Sequence, residues 1–371
     1  MTKQASPLLS GSIIGILGTG QLGRMLSLAG AQLGFKTHIY GPEENAPASE
    51  VSWRTTTADY KDETALKHFV ESVDVVTYEF ENVPRETANF LSQFVPVRPP
   101  VRALDVAQDR LTEKNFLTEC GLSVAGFQKI ETYKDLQEVY TRFDGQGIIK
   151  TRRFGYDGKG QWRMTPETDL KALLNEIDNR PAICEAFIPF DGEVSVVAAR
   201  GKSGQIATFD MAENIHENHI LRHSFVPTGL PESLKQQAAD MARLLLTELE
   251  YIGVLTLEIF VCQDKLLINE IAPRVHNSGH WTIDACVTDQ FEQHMRAVAG
   301  WPLGSPNRQY DAVMTNLLGK EINQIASLAE DEMAKIHFYG KRETKAGRKM
   351  GHVSRLFKIG QRPNLEGYKL F

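Results

Sequence analysis

The sequence predicts a chain of mixed α/β and α+β class, with a parallel sheet at its N-terminus and β-rich regions after it. Short apolar runs alternate with helical patterns over residues 12–105, whereas strand patterns predominate from residue 148 to residue 199. The alternation indicates βαβ units around a parallel sheet, and the consecutive strands indicate a separate α+β region. A length of 371 residues predicts two or three domains rather than one.

The N-terminal region, residues 1–105, is predicted to be a Rossmann-like domain. Its strands are expected at residues 12–17, 36–40 and 74–78, and the helices between them at residues 24–33 and 63–70. Pro96, Pro99 and Pro100 interrupt this pattern, because proline fixes the backbone and lacks an amide donor. The first domain is therefore predicted to end near residue 105.

Two further regions are predicted, at residues 106–300 and 301–371. The first is expected to contain helices at residues 106–120 and 231–249, and paired strands at residues 254–261 and 265–271. The second is expected to be a small β-rich appendage, because strand patterns return after about residue 310.

The composition argues against several classes of protein. A formal net charge of −6 disfavours a general nucleic-acid binder, which is usually basic. The longest apolar runs are strand-sized and too short to cross a membrane, and residues 1–10 lack the apolar core of a signal peptide. The 4 cysteines are scattered without a CxxC pair, which fits reduced thiols. We therefore expect a cytoplasmic protein that binds neither nucleic acid nor membrane.

A first glycine loop, with Gly18, Gly20 and Gly23, follows the first predicted strand and opens a helix. This is the setting of a phosphate-binding turn, in which backbone amides at a helix N-terminus face an anion. A dinucleotide site also needs a carboxylate at the end of the second strand, and that strand ends at Tyr40. The loop therefore either holds a phosphate or a nucleotide substrate, or serves close strand–helix packing, and NAD binding is disfavoured.

A second glycine loop follows Lys150, which ends an apolar strand. The loop runs from Gly155 to Gln161 and is not a P-loop, because Arg153 stands where the first glycine would be. A cationic glycine hairpin can fold over a polyphosphate and screen its charge. The alternative is a solvated turn with incidental lysines. The phosphate interpretation is favoured, because a lysine at the end of a buried strand needs an anion nearby.

Two glutamates, Glu185 and Glu193, lie on the strands after this loop. An extended segment can offer backbone donors and acceptors to an adenine edge, while a carboxylate holds ribose hydroxyls. Alone this signal is nonspecific, because any strand exit with glutamates looks similar.

Glu258 and Glu270 lie on the predicted strand pair that ends the central region. If the turn between the strands centres on residue 264, the two carboxylates face each other on one side of the hairpin. Like charges placed so are destabilising, and a cation between them removes the repulsion. Mg²⁺ suits such a pair, because it takes one or two carboxylates plus phosphate oxygens. The alternative, two solvated edge residues, would be better served by lysine or threonine, so the pair predicts a metal site.

A run of hydrogen-bonding side chains occupies residues 274–280, directly after the second carboxylate. Such residues beside a metal suit contacts to a substrate phosphate and to a transition state. Further along, Lys341 and Arg348 belong to a locally basic tail of a net acidic chain, which indicates an anion site. A solvated charged loop is the competing interpretation of this tail.

Taken in order along the chain, four segments resemble the N5-carboxyaminoimidazole ribonucleotide synthetase family, ATP-grasp enzymes of bacterial and fungal purine synthesis. They are residues 18–26, 150–161, 269–281 and 339–352. The resemblance extends over nearly the whole chain. It implies an ATP-grasp architecture with a Rossmann-like N-terminal domain, a mobile central lid at about residues 125–205, and a C-terminal domain, with ATP between the last two.

The resemblance also implies roles for individual residues. ATP would be held by Arg110, Lys150, Gly155, Tyr156, Asp157, Gly158, Lys159, Gly160, Gln161, Glu185, Ala186, Phe187, Ile188, Glu193, His216, Asn269 and Glu270. The ribonucleotide substrate would be held by Gln21, Leu22, Glu79, Arg274, His276, Asn277, Ser278, Lys341 and Arg348. The catalytic group would be Tyr156, Asp157, Arg274 and His276. Glu258 and Glu270 would bind Mg²⁺, with Mn²⁺ as an alternative. Val275 departs from the family, which usually has proline there.

The implied reaction joins ATP and bicarbonate to form carboxyphosphate, which then carboxylates the amine of aminoimidazole ribonucleotide. The family further implies a homodimer that passes its product to a mutase. Three rival functions are weighed against this one. They are a sister ATP-grasp ligase such as a formate-using transformylase or a biotin carboxylase, a dehydrogenase built on the first glycine loop, and a non-catalytic ATP sensor.

Overall fold

The computed structural model describes residues 6–155, 158–178, 180–364 and 368, and within these residues its strands form three sheets. The N-terminal sheet contains β1 (Ile13–Leu17), β2 (Lys36–Gly41), β3 (Arg54–Thr57) and β4 (Val75–Tyr78). These strands are parallel, in the order β3-β2-β1-β4, so the predicted parallel sheet is confirmed. The helices of this region are α1 (Gln21–Gln32), α2 (Glu63–Val70) and α3 (Arg85–Ser92).

Where one helix was predicted at residues 106–120, two helices connect the first sheet to the second. They are α4 (Val101–Ala107) and α5 (Arg110–Glu119). The division falls at Asp109, whose backbone is extended and whose carboxylate accepts hydrogen bonds from the amides of Leu111 and Thr112. An aspartate that caps a helix N-terminus in this way starts a new helix.

The second sheet belongs to the central region, the predicted lid. Its strands are β5 (Phe127–Ile130), β6 (Gly147–Thr151), β7 (Gln161–Met164) and β8 (Ala182–Ala186), in the antiparallel order β5-β8-β6-β7. Helices α6 (Tyr133–Arg142) and α7 (Leu170–Ile177) cover it. Leu136, Ile149 and Leu173 belong to a small core of its own, and this independence suits an element that moves as a unit.

The third sheet is the largest. Its strands are β9 (Gly192–Arg200), β10 (Ile206–Thr208), β11 (Ala212–Glu217), β12 (Ile220–Val226), β13 (Gly253–Cys262), β14 (Lys265–Ala272), β15 (Asp311–Leu318), β16 (Ala334–Phe338) and β17 (Lys349–Phe357). The strand order is β14-β13-β9-β11-β12-β15-β17-β16, with β10 paired to β9. The predicted β-rich tail thus extends this sheet instead of forming one of its own.

Helices and shared apolar cores fix the large sheet to its surroundings. The remaining helices are α8 (Glu232–Glu248), α9 (Thr282–Ala285), α10 (Gln290–Ala299) and α11 (Ile325–Ala329). Met25 of α1 and Met295 of α10 share one buried cluster, which joins the N-terminal domain to the large sheet. Within the described residues, every helix is too short or too polar to cross a lipid bilayer.

Candidate functional site

A cleft of about 980 Å³ lies where elements of the three sheets meet. Most of the residues predicted to bind ATP, metal or substrate line it. Those at the cleft wall are Gln21, Leu22, Glu79, Arg110, Lys150, Gly155, Gly158, Lys159, Gly160, Gln161, Glu185, Ala186, Phe187, Ile188, Glu193, His216, Glu258, Asn269, Glu270, Arg274, His276, Asn277 and Ser278. Tyr156 and Asp157 lie outside the described residues. Strands far apart in sequence therefore bring the predicted residues to one place.

The hairpin of β13 and β14 carries the two predicted metal ligands. Glu258 and Glu270 are paired across the strands, as expected, but the turn does not centre on residue 264. Cys262 pairs with Lys265, a register that would place Asn269 opposite Glu258 if it continued. A β-bulge leaves Asn269 without a partner and brings Glu270 opposite Glu258 instead. The facing carboxylates thus depend on one extra residue in β14.

Each of these carboxylates has its own nitrogen partner, a guanidinium for Glu270 and an imidazole for Glu258. Nη1 of Arg110 lies 2.8 Å from Oε2 of Glu270, and Nε2 of His276 lies 2.9 Å from Oε1 of Glu258. Burial alone would raise the pKa of Glu270, but the charge and hydrogen bond of Arg110, together with the charge of Lys150, outweigh burial and hold that pKa below its ordinary value. The like-charge repulsion that motivated a metal site is therefore already relieved in part by protein groups.

The donor set at the hairpin fits Mg²⁺. No group of three or more His, Cys, Asp or Glu side chains suited to a metal occurs in the part of the chain that the structure describes. Mg²⁺ does not require such a group, because it usually keeps several waters and binds one or two carboxylates plus substrate phosphates. Glu258 and Glu270 supply two carboxylates on adjoining strands at the cleft wall.

A buried ionic cluster lies between the lid and the large sheet. Oε1 of Glu185, on β8, lies 3.1 Å from Nζ of Lys150, on β6. Lys150 also donates to Oδ1 of Asn269 at 3.4 Å. Desolvation lowers the pKa of Lys150 although Glu185 opposes that shift. Lys150 thus has a carboxylate beside it and faces the cleft, where a phosphate would be a further counter-charge.

The side of the cleft formed by β9 and β11 pairs a carboxylate with an imidazole. Nδ1 of His216 lies 3.2 Å from Oε1 of Glu193. Burial would lower the pKa of His216, but the hydrogen bond and charge of Glu193 reverse the shift and raise it. Phe190 and Phe260 stack nearby with ring centroids 4.5 Å apart, and both line the cleft. This apolar wall beside polar groups suits a nucleotide base and its sugar.

The described residues of the second glycine loop, Gly155 and 158–161, line the cleft between β6 and β7. Gly158 and Gly160 have φ of +75° and +69°, conformations that favour glycine. At Gly160 an added Cβ would lie 2.6 Å from Oγ1 of Thr151, so a side chain there would also collide. Arg110 donates to the carbonyl of Gly155 at 3.4 Å and also to the carboxylate of Glu270. It therefore connects the start of the loop to β14, the strand that carries the proposed metal ligand Glu270 and is called the metal strand below.

The first glycine loop already holds an anion that belongs to the protein. Both carboxylate oxygens of Glu79 accept hydrogen bonds from the α1 N-terminus, from the amide of Gly20 and, at 2.6 Å, from that of Gly23. An added Cβ at Gly18 would collide with Glu79. Of the two interpretations left open, close packing has direct support, and Gln21 and Leu22 still line the cleft. Glu79 therefore takes up two amide donors that a phosphate bound at this helix N-terminus would need.

The polar run after β14 is anchored by side-chain pairs. Arg274 forms a bidentate ion pair with Glu81, which raises the pKa of the guanidinium in spite of burial. Nδ1 of His276 lies 2.8 Å from Oγ of Ser278, and its other nitrogen contacts Glu258. Arg274 and His276 are therefore held at the cleft next to the carboxylate pair.

Two other residues of this run, Asn277 and Val275, are held in place by a side-chain hydrogen bond and by core packing. Asn277 and Asn316 exchange side-chain hydrogen bonds of 2.9 and 2.6 Å. Val275, at the family's usual proline position, is fully buried in the main core. An apolar side chain therefore secures this turn by packing.

The basic tail approaches the cleft through Lys349, which lines it. Nζ of Lys341 donates to the carbonyl of Lys349 at 2.8 Å, and Nη1 of Arg348 donates to the carbonyl of Glu343 at 3.0 Å. Lys341 and Arg348 are thus next to the cleft wall without forming part of it, and their role in substrate binding stays a prediction.

Several cleft residues were missed by sequence reasoning. Glu81, Asn214 and the stacked Phe190 and Phe260 all line the cleft. Glu81 could have been found from its position, because it follows β4 two residues after Glu79, where the carboxyl ends of parallel strands meet. The aromatic pair carried no local signal, since phenylalanines at strand ends usually belong to a core.

Comparison with known proteins identifies the family. Family models match the ribonucleotide synthetase preATP-grasp domain at residues 12–108, the ATP-grasp domain at 115–291 and the phosphoribosylaminoimidazole carboxylase C-terminal domain at 312–358. The N5-carboxyaminoimidazole ribonucleotide synthase of Brucella melitensis biotype 1 is 48% identical over 349 residues, which cover 93% of this chain and 96% of that protein.

Solved structures agree in fold. An ADP complex of an N5-carboxyaminoimidazole ribonucleotide synthetase matches with a TM-score of 0.91 at 40% identity, covering 96% of this chain and 94% of that one. The synthase from Aspergillus clavatus, solved with ADP and 5-aminoimidazole ribonucleotide, matches with a TM-score of 0.88 at 26% identity over 94% of each chain. The resemblance and the ATP-grasp architecture predicted from sequence are confirmed. The chain belongs to the N5-carboxyaminoimidazole ribonucleotide synthase family of ATP-dependent ligases.

Proposed function

We propose that this ligase uses ATP and bicarbonate to form carboxyphosphate, and then carboxylates the exocyclic amine of 5-aminoimidazole ribonucleotide. ATP-dependent carboxylation of this ribonucleotide in purine biosynthesis is the activity of the family to which the chain belongs. The observation that carries the finer proposal is the facing pair Glu258 and Glu270, which lines the same cleft as Lys159 of the second glycine loop and residues 274 and 276–278 of the polar run.

In this proposal ATP occupies the side of the cleft next to the lid. Its base lies along the segment from Glu185 to Ile188, and the carboxylate of Glu193 accepts hydrogen bonds from the ribose. Lys150 and the loop from Gly155 to Gln161 contact the phosphates, where their cations offset the phosphate charge. Arg110 supports this region, because it contacts both the loop and the metal strand.

Mg²⁺, held by Glu258 and Glu270, would neutralise charge on the phosphoryl group that is transferred. The contact of Glu258 with His276 and the ion pair of Glu270 with Arg110 fix both side chains at the cleft wall. Preorganised groups of this kind do not need to move at the moment of reaction.

Two displacements complete the proposed reaction. A bicarbonate oxygen attacks the γ-phosphorus of ATP, and ADP leaves with the electrons of the broken P–O bond. The substrate amine then attacks the carboxyl carbon of carboxyphosphate, loses a proton, and inorganic phosphate departs with that bicarbonate oxygen. A cleft closed by the lid would protect carboxyphosphate from water.

The ribonucleotide occupies the side of the cleft formed by the first glycine loop and the run at residues 274–280. Arg274 and His276 are placed to stabilise charge near the reacting groups, while Lys341 and Arg348 bind the substrate phosphate through charge-assisted hydrogen bonds. We further propose a cytoplasmic homodimer that passes its product to a mutase.

Oxygen-isotope transfer tests the intermediate. With bicarbonate fully labelled by ¹⁸O, carboxyphosphate formation puts one labelled oxygen into each inorganic phosphate released during ribonucleotide-dependent turnover. Mass spectrometry of the phosphate is the measurement, and unlabelled phosphate would contradict the proposal. Replacing bicarbonate by formate, or the ribonucleotide by biotin, should abolish ADP release and thereby separate this enzyme from its sister ligases.

A further inference from the structure

Helix α5 turns one face toward β14, the strand at the edge of the large sheet. Arg110, Glu113 and Lys114 are spaced i, i+3 and i+4, so their side chains leave the helix on the same side. Oε1 of the Glu113 carboxyl group accepts a hydrogen bond of 2.6 Å from the amide of Ile271. Nζ of Lys114 donates to the carbonyl of Asn269 at 2.6 Å. Glu113 and Lys114 thus form hydrogen bonds with backbone groups of β14 that an edge strand would otherwise leave unpaired.

The contact of Lys114 falls at the bulge. Asn269 is the extra residue of β14, and without it Glu270 would lose its position opposite Glu258. Nζ of Lys114 also lies 3.3 Å from the carbonyl of Ile268, so the ammonium spans the backbone on the N-terminal side of the bulge. Hydrogen bonds to two successive carbonyls fix the local bend of the strand, and with it the direction of the Glu270 side chain.

The same ammonium reaches the lid. Nζ of Lys114 lies 3.3 Å from Oε2 of Glu185, whose other oxygen contacts Lys150. Burial would raise the pKa of Glu185, but Lys150 and Lys114 together lower it, so the carboxylate stays charged. Lys114 is fully buried at 0% exposure, and a buried charge of this kind is retained only where partners compensate for its desolvation.

We propose that Lys114 is a positioning residue that couples the lid strand β8 to the metal strand β14. It acts through Asn269 and Glu185, which face the cleft, while its own ammonium is buried behind the cleft wall. The role in metal and nucleotide placement rests on the proposed function of these two residues. Loss of the ammonium relaxes the bulge and leaves Glu185 with Lys150 as its remaining cationic neighbour on the lid. The carboxylate pair and the segment from Glu185 to Ile188 then both lose their alignment.

Lys114→Met, which keeps the length of the side chain and removes its charge, tests this role. Calorimetry should show that Mg²⁺–ADP binds about 10- to 100-fold more weakly, the range found when supporting residues of a metal site are removed. Half-maximal activity should need correspondingly more Mg²⁺, whereas the KM for the ribonucleotide should stay within about twofold. The matched control is Lys134→Met, because that lysine is 83% exposed on α6 and its loss should change neither quantity.

A second variant keeps the test decisive if the first folds poorly. Lys114→Gln retains a donor for the Asn269 carbonyl without the charge, and it should bind Mg²⁺–ADP with intermediate affinity. Circular dichroism sets a temperature at which each variant is folded. Normal Mg²⁺–ADP affinity in either folded variant, or failure of both to fold, would overturn the proposal. Binding of Mg²⁺–ADP is measured without bicarbonate or ribonucleotide, so its outcome is independent of whether carboxyphosphate forms.

Discussion

Glu270→Gln removes the charge of one proposed metal ligand while keeping its shape. Repulsion between facing carboxylates would by itself predict a gain in stability. The structure predicts a loss of stability instead, because Nη1 of Arg110 lies 2.8 Å from Oε2 of Glu270. The substitution would remove this charge-assisted hydrogen bond. The two side chains are 18% and 35% exposed, so the cost falls below that of breaking a fully buried pair. We expect the free energy of unfolding to fall by about 1–2 kcal/mol without metal.

Turnover should fall much further than stability, by about 100-fold or more in kcat, because the charge that balances Mg²⁺ is lost. Urea unfolding and steady-state ADP release measure the two effects. Glu292→Gln is the matched control, since it breaks a 2.7 Å pair with Arg296 on α10, away from the cleft, and should lower stability alone. Near-normal activity of Glu270→Gln at saturating Mg²⁺ would refute the metal assignment, and increased stability would refute the role of Arg110.

Three further predictions concern other parts of the molecule. Calorimetry should detect no NAD or NADP binding, because Glu79 already caps the first glycine loop, and micromolar affinity would revive the dehydrogenase alternative. Arg348→Ala should lower kcat/KM for the ribonucleotide roughly tenfold to a hundredfold and leave the KM for ATP nearly unchanged. Arg348→Lys should recover part of the loss. An equal rise in the KM for both substrates would indicate misfolding or a role at the ATP site. Burial raises the pKa of Glu113 from 4.5 to about 8, so between these values the folded state keeps a proton that the unfolded state has lost. The free energy of unfolding should therefore fall as pH rises through this window, by at most about 1.4 kcal/mol per pH unit, and urea titrations should show a smaller fall in Glu113→Gln; parallel curves would contradict the buried proton.

The fold was largely predictable, because its strongest signals are local. The apolar periodicity of the first 105 residues and the hairpin around residue 264 correspond to the parallel sheet and to the pair of β13 and β14. The predicted helix boundaries were wrong where a single side chain determines the start of a helix. Asp109 starts a new helix by capping it, within a stretch whose apolar pattern is continuous.

The sequence predicted which residues line the cleft better than it predicted the ion pairs among them. The pairing of Glu258 with Glu270 was correct although the turn centre was not, because the bulge at Asn269 compensates for the offset. No local sequence pattern predicts this bulge, because the carbonyl of Asn269 accepts its hydrogen bond from a lysine 155 residues earlier in the chain. Lys114 looks like an ordinary exposed lysine of an amphipathic helix, and its burial is set by tertiary contacts alone.

A crystal structure with Mg²⁺, a non-hydrolysable ATP analogue and aminoimidazole ribonucleotide tests the central claim most directly. We predict a metal bound by both Glu258 and Glu270, phosphates beneath the second glycine loop, and the substrate amine between the γ-phosphate and the run at residues 274–280. The distance between the metal and each carboxylate oxygen should be about 2.0–2.1 Å. Electron density for the metal away from this pair, or for the ribonucleotide outside the cleft, would contradict the account.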